Sequence, residues 1–302
     1  MLEFRDLTLE DKPRVEECAR AYSYHLCEHC FTDLFIWRGH YQTKICFWEG
    51  FLFVRMMTLD EQKPMYLAPI GSGDLAAAIK LLEQDAAERG IPFTMCSIAE
   101  DMKPRIEAVL PERYEYDTDE SGWDYIYLSE KLQTLSGKKL QSKRNLVNRF
   151  KTAYEGRWTY EDMTLDNVHD AFDFHIKWCE QNGCMRDQDF WGETCAIGTG
   201  LNLFKELDLR GGLLRLDGNV IAFTFGSKAS DDMFVVQIEK ADHNIDGAYQ
   251  MINQQFVQHN CTEVKYVNRE EDLGLEGLRK AKRSYRPEMM GVKYCAKPKK
   301  GY

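Results

Sequence analysis

Apolar and polar positions along this chain change period often, and each change marks an element. Thr8, with Asp11 three residues on and Pro13 in the first turn, precedes apolar positions at helical spacing and predicts a capped amphipathic helix over 12–22. Residues 43–48 and 50–56 are rich in aromatic and β-branched side chains around Glu49-Gly50, which predicts two strands joined by a tight turn. A strand over 65–67, a helix over 74–89 closed by Gly90, and strands over 93–97 and 123–128 follow. The order is mixed α/β.

The polar stretch 129–136 runs into Gly137, which places a domain boundary there and divides the chain into 1–136 and 137–302. Residues 138–151 hold six cations and no acid, with Leu140, Leu146, Val147 and Phe150 near a helical period, and read as a basic amphipathic helix. Helical patterns over 165–182 and 187–204 come next. Apolar runs at 212–216 and 220–227 then flank Asp217-Gly218, a pair suited to a type I′ hairpin because both central residues need positive φ. A strand over 233–239, a polar loop over 240–247, a helix over 248–259 and a strand over 263–267 complete the series. This is the order that an acyl-CoA site of the GNAT acyltransferase type needs, where loop N–H groups and a helix N-terminus hold pyrophosphate. The loop here lacks the Gly-rich, Arg/Gln-led pattern of acetyl-CoA binders, and Asp242 and Asp246 would repel phosphate.

Composition narrows the classes. A length of 302 residues favours two domains, and 44% hydrophobic with 29% charged residues is ordinary for globular chains. The N-terminus has no signal-type apolar run, and the longest apolar runs fall far below the roughly 18–20 residues that span a bilayer, so a cytoplasmic protein without a transmembrane segment is expected. The chain has ten cysteines; Cys18, Cys46, Cys96, Cys179 and Cys195 sit in apolar patterns and read as reduced, buried thiols. His25, Cys27, His29 and Cys30 resemble half of a zinc site, but no second Cys-x-x-Cys or His-x-x-x-His pair accompanies them, which favours a helix or loop without metal. His175, His243 and His259 have no evident partner for a Cys-His or Ser-His nucleophile.

Charge adds a locus. The chain carries a net charge of -10, yet residues 274–294 hold six cations: Arg279, Lys280, Lys282, Arg283, Arg286 and Lys293. Such a reversal marks where an anion docks. Arg279 and Arg286, with Lys143 and Arg144 of the basic helix, suit the phosphates of a tRNA acceptor end or of CoA. Residues 268–272 follow a predicted strand, where open α/β sheets build sites; Glu270 and Asp272 are the candidate general bases, and Asn268 joins the substrate- and anion-binding set.

Gly277-Leu278-Arg279, Lys282, Tyr285, Pro287 and Lys293-Tyr294 resemble the G-L-R…K…F-x-P…R-Y ending of the C-terminal catalytic domain of phosphatidylglycerol lysyltransferases. The stretches 32–37, 124–127, 135–139 and 143–145 resemble an uncharacterised bacterial family related to it. The resemblance implies two tandem GNAT-like domains, each a mixed, mostly antiparallel sheet flanked by helices, as in Fem-type peptidyltransferases. It also implies movement of an aminoacyl group from aminoacyl-tRNA to a lipid hydroxyl or peptide amine, with Lys282 beside the transferred carbonyl, where a fixed cation stabilises developing negative charge. Lipid-modifying members carry a long membrane-spanning N-terminal region that is absent here, which weakens lipid as the acceptor. The expectation is an acyltransferase that needs no bound cofactor, takes acyl-CoA or aminoacyl-tRNA as donor, and acts by direct attack of an amine or hydroxyl on a small molecule, peptide or lipid. A noncatalytic GNAT-fold protein binding an anionic ligand or RNA end is the alternative.

Overall fold

The computed structural model describes residues 2–21, 25–58, 63–182 and 188–300; Tyr22 and Asp187, ends of two predicted helices, lie outside them. The first half runs β1 (Arg5–Asp6), α1 (Lys12–Arg20), α2 (Phe31–Ile36), β2 (Lys44–Trp48), β3 (Phe51–Met57), β4 (Pro64–Leu67), β5 (Ile70–Gly71), α3 (Leu75–Arg89), β6 (Met95–Ala99), α4 (Met102–Val109) and β7 (Tyr114–Asp117). Next come β8 (Asp124–Leu128), α5 (Ser129–Thr134), α6 (Gln141–Ala153), β9 (Trp158–Asp162), α7 (Val168–Asn182) and α8 (Gln188–Asn202). The chain ends with β10 (Arg210–Leu216), β11 (Asn219–Lys228), β12 (Met233–Ala241), α9 (Ala248–Asn260), β13 (Tyr266–Asn268), α10 (Glu276–Ser284), β14 (Met289–Gly291) and β15 (Lys293–Pro298).

These elements form two sheets built on one plan. The first has the order β1-β2-β3-β4-β6-β15-β7 and the second β14-β8-β13-β12-β11-β10-β9. In each, antiparallel strands lead to one parallel pair closed by a helix: β4 and β6 through α3, β12 and β13 through α9. Two GNAT-like units in tandem, each a mixed and mostly antiparallel sheet flanked by helices, is the fold class expected from the sequence. Two compact units follow, Met1–Asp124 with Gly291–Tyr302, and Tyr125–Met290. Against the boundary expected at 136/137, β8 and α5 fall in the second unit because β8 pairs with β13, and β15 returns to the first sheet between β6 and β7.

Local sequence explains the elements that position the site. Asp217 and Gly218 have φ of 50° and 79°, the type I′ geometry that sets Leu216 opposite Asn219 and so fixes the β10–β11 register. Helix α9 buries Met251, Ile252, Phe256 and Val257 in a core shared with Phe234 and Val236 of β12. Each such side chain contributes about 1.5–3 kcal/mol on burial, so α9 is anchored along the strand that it follows. Three of the five cysteines expected as reduced, buried thiols depart from that: Cys195 is exposed, Cys46 is half-buried, and Cys96 is oxidised. Cys96 on β6 forms a disulfide with Cys295 on β15, the neighbouring strand, with Cα atoms 4.1 Å apart. Among the described residues no helix is long and apolar enough to cross a membrane.

Candidate active site

In the second unit β12 and β13 are paired only from Met233–Tyr266 to Val235–Asn268. Beyond that point β12 continues to Ala241, while the chain after β13 turns to β8: the Arg269 N–H donates to the Tyr125 carbonyl at 3.0 Å, and the Tyr125 N–H to the Glu270 carbonyl at 3.1 Å. Two parallel strands that part in mid-sheet leave a cleft at their divergence. Arg269 reaches back across it, its Nη2 donating to Glu239 Oε1 of β12 at 2.8 Å. Asn253 of α9 holds the other oxygen of Glu239 through Nδ2 at 3.0 Å. Rings of Tyr127 and Tyr285 lie 5.8 and 4.9 Å from the guanidinium carbon. Burial works against the charge of Arg269, but Glu239, Tyr127 and Tyr285 together outweigh it, so the pKa is raised.

This constellation keeps bonding capacity in reserve. Nη1 of Arg269 and Oδ1 of Asn253 are buried and have no hydrogen-bond partner among the described residues. A buried donor or acceptor left unmade costs about 1–3 kcal/mol, so a donor and an acceptor flanking one carboxylate argue for a ligand that fills both.

The candidates read from the sequence mostly surround this cleft as its frame. Lys282, buried on α10, donates through Nζ to the Arg269 carbonyl at 2.6 Å and to the Glu271 carbonyl. Asp272 is fully buried and accepts from the Tyr125 hydroxyl at 2.7 Å, from Arg279 Nε at 2.9 Å and Nη2 at 3.0 Å, and from the Gly274 N–H at 2.9 Å. Burial alone would raise its pKa, but Arg279 and Tyr125 bring it below the usual carboxylate value. Asn268 accepts the Glu270 N–H at 2.7 Å, and Glu270 sits at φ 56°, a costly backbone state that these bonds hold in place. Lys143 of α6 is buried with Nζ 4.6 Å over the Tyr285 ring. Arg144 instead donates to the Leu135 and Gly137 carbonyls at 2.6 and 3.3 Å, satisfying the end of α5, and Arg286 is exposed.

Sequence reasoning therefore framed the loop and missed Arg269, Glu239 and Asn253. The available signal was the charged residue next to each chosen one: Arg269 lies between Asn268 and Glu270. The motif over 25–30 belongs to the first unit and meets different partners. Lys293 Nζ lies 2.8 Å from Glu28 and 2.7 Å from Asp124; the Cys27 N–H donates to Asp124 at 2.7 Å, and Ser97 Oγ to Glu28 at 2.9 Å. The Cys27 thiol is 3.4 Å from each carboxylate.

The same arrangement of elements occurs in known proteins. A crystal structure of a conserved protein of unknown function from Bacteroides thetaiotaomicron is 38% identical, covers 99% of this chain and 100% of its own, and superposes with a TM-score of 0.94. The structure of L-PGS from Bacillus licheniformis shares the fold at 16% identity, with 97% and 93% covered and a TM-score of 0.66. An uncharacterized protein of Mycoplasmoides gallisepticum is 25% identical over 185 residues, 60% of this chain, and the match spans 59% of that relative's length. Because the family model described as phosphatidylglycerol lysyltransferase, C-terminal, matches residues 19–297, the chain belongs to that family.

Proposed function

We propose that the chain transfers an aminoacyl group from aminoacyl-tRNA to an amine or hydroxyl acceptor by direct attack at the cleft between β12 and β13. The unfilled pair of Arg269 Nη1 and Asn253 Oδ1 carries this reading. As the acceptor nitrogen or oxygen bonds to the ester carbon, the carbonyl oxygen gains negative charge, and Nη1 of Arg269 is a fixed, desolvated donor for it. The C–O bond to the tRNA ribose then breaks, and the acceptor's proton ends on the departing oxygen. Asn253 Oδ1 accepts from an N–H or O–H of the bound group. Lys282, Asn268 and Asp272 act by holding the loop that presents Arg269.

The surroundings of α9 support tRNA over CoA as the donor. Within the loop before α9, the N–H groups of Asp242, Asn244 and Ile245 and that of Ala248 bond to the chain itself, three of them to Ile221, Asp242 and Ile245 carbonyls and one to the Asp242 side chain. Helix α6 also lies across the helix start: a Cβ at Gly247 would meet the Leu146 carbonyl oxygen at 2.8 Å. Asp246 pairs with Arg149 at 3.0 Å. A pyrophosphate needs open N–H groups there, and those of Asp242, Asn244, Ile245 and Ala248 are taken. The neighbours' names point the same way, since the family is described as a lysyltransferase.

Incubation with labelled aminoacyl-tRNAs and acyl-CoAs against a panel of amines and alcohols tests this. Label passing from tRNA to an acceptor, and none from CoA, is expected. Transfer from CoA overturns the donor; no transfer at all, with tight and salt-dependent RNA binding, makes the protein a noncatalytic binder.

A further inference from the structure

Direct attack requires a group that takes the acceptor's proton, and two of the carboxylates around the cleft, Glu239 and Asp272, are already bonded. Both oxygens of Glu239 are held by Arg269 and Asn253, and both oxygens of Asp272 by Arg279, Tyr125 and Gly274. Nζ of Lys282 is engaged with two backbone carbonyls.

Lys143 is placed differently. It is buried on α6, a helix that packs on α9, and its Nζ faces the Tyr285 ring, the ring that also carries Arg269. Among the described residues no carboxylate bonds it. The charged group that acts on it is Arg269, a like charge; Glu239 is engaged with Arg269 and Asn253. Tyr285 stays protonated, because burial raises its pKa, and neither Tyr249 nor His259 of α9 contributes to Lys143. The basic neighbours on α6 itself, Arg144 and Arg149, turn to the Leu135 carbonyl and to Asp246. A lysine buried beside a guanidinium with no counterion is the arrangement that favours a neutral amine.

We propose that Lys143 is the general base of the transfer: its Nζ takes the proton from the acceptor N–H or O–H as the new bond to the acyl carbon forms, and returns it to the ribose oxygen as that bond breaks. This inference rests on the transfer reading above. Its nitrogen begins and ends each cycle neutral, and no external acid or base is consumed. Burial, then the charge of Arg269, lowers the Lys143 pKa from the ordinary lysine value, which raises the neutral fraction near neutral pH.

Two measurements on the full chain test it. In protein with 13C at the lysine ε-carbon, one signal is expected to titrate below the usual value of about 10.4 and to vanish in Lys143→Arg. In transfer assays, Lys143→Arg keeps a cation that does not deprotonate; kcat is expected to fall about 10²–10⁴-fold with KM little changed, and the rise of rate with pH seen in the wild type is expected to disappear. Circular dichroism and thermal melting of the variant confirm that it is folded, and Lys143→Met provides a second replacement that adds no buried charge. Ordinary titration of Lys143, or wild-type kcat and pH profile in Lys143→Arg, overturns the proposal while transfer itself stands. A wild type that transfers nothing overturns both.

Discussion

In the first unit Lys293 lies between Glu28 and Asp124, and the same carboxylates also accept from Ser97 and the Cys27 N–H. In the second unit Arg269 lies against one carboxylate, shared with Asn253, and the arginine and the asparagine each keep one buried polar atom without a partner among the described residues. Both clusters bury charge, and both hold their ions through hydrogen bonds at ordinary distances. In the second, Arg269 Nη1 and Asn253 Oδ1 flank one carboxylate with capacity left. Buried ion pairs occur for structural reasons and are weak arguments for function, whereas buried unmet donors and acceptors cost free energy until something binds. The contrast supports the proposed transfer at the cleft of the second unit.

The largest effect that tests this contrast is expected from Arg269→Met. Loss of a fixed donor to the developing oxyanion should lower kcat by about 10³-fold. Leaving Glu239 buried without its cation should also destabilise the fold by about 3–5 kcal/mol. Adding Glu239→Gln removes the stranded charge and should recover most of that stability, measured by urea unfolding, without recovering transfer. Should the double variant regain wild-type turnover, Arg269 is only a structural partner and the contrast is lost.

Lys293→Met is the matching experiment in the first unit. It leaves the fully buried Asp124 and the half-buried Glu28 without their cation, and a loss of about 3–5 kcal/mol is expected. Turnover per folded molecule should stay at the wild-type level, because the proposed transfer runs at the cleft of the second unit. A folded Lys293→Met protein whose transfer collapses would place the first cluster in the catalytic machinery.

How far the sequence reached is seen in the same residues. Elements set by local signals were legible: the Asp217-Gly218 hairpin, the strand-loop-helix-strand order of β12, α9 and β13, and the amphipathic helix α6 all follow from period and turn chemistry. Lys282 and Asp272 were singled out by motif and by position at a strand end, yet Lys282 meets backbone carbonyls, which leave no trace in side-chain patterns. Arg269 and Glu239 are 30 positions apart and meet only because β12 and β13 part after Asn268. Cys96 and Cys295 stand 199 positions apart and meet because β15 enters the first sheet beside β6. Strand insertion and divergence are tertiary facts, and a charged residue at a strand end looks alike whether it frames a site or fills one.

The smallest expected effect comes from acid, and here the two units should behave alike. His29 in the first and His175 in the second are both buried, and burial lowers each pKa to about 4; Glu28 and Glu193 oppose the shift, and Lys293 and Lys240 reinforce it. The unfolded chain binds these protons near pH 6.5 while the folded chain stays neutral until about pH 4. Protons therefore favour the unfolded state within that window. The contribution of each histidine is intact above pH 6.5 and declines as the pH falls toward 4, by up to about 3 kcal/mol each. Urea unfolding at pH 7 and pH 4.5 measures the loss, and His29→Asn or His175→Asn should each flatten its own share. A difference in acid sensitivity confined to one unit would mean that its histidine gains a counterion in the folded state, and for the second unit that would place Glu193 closer to the chemistry than the contrast allows.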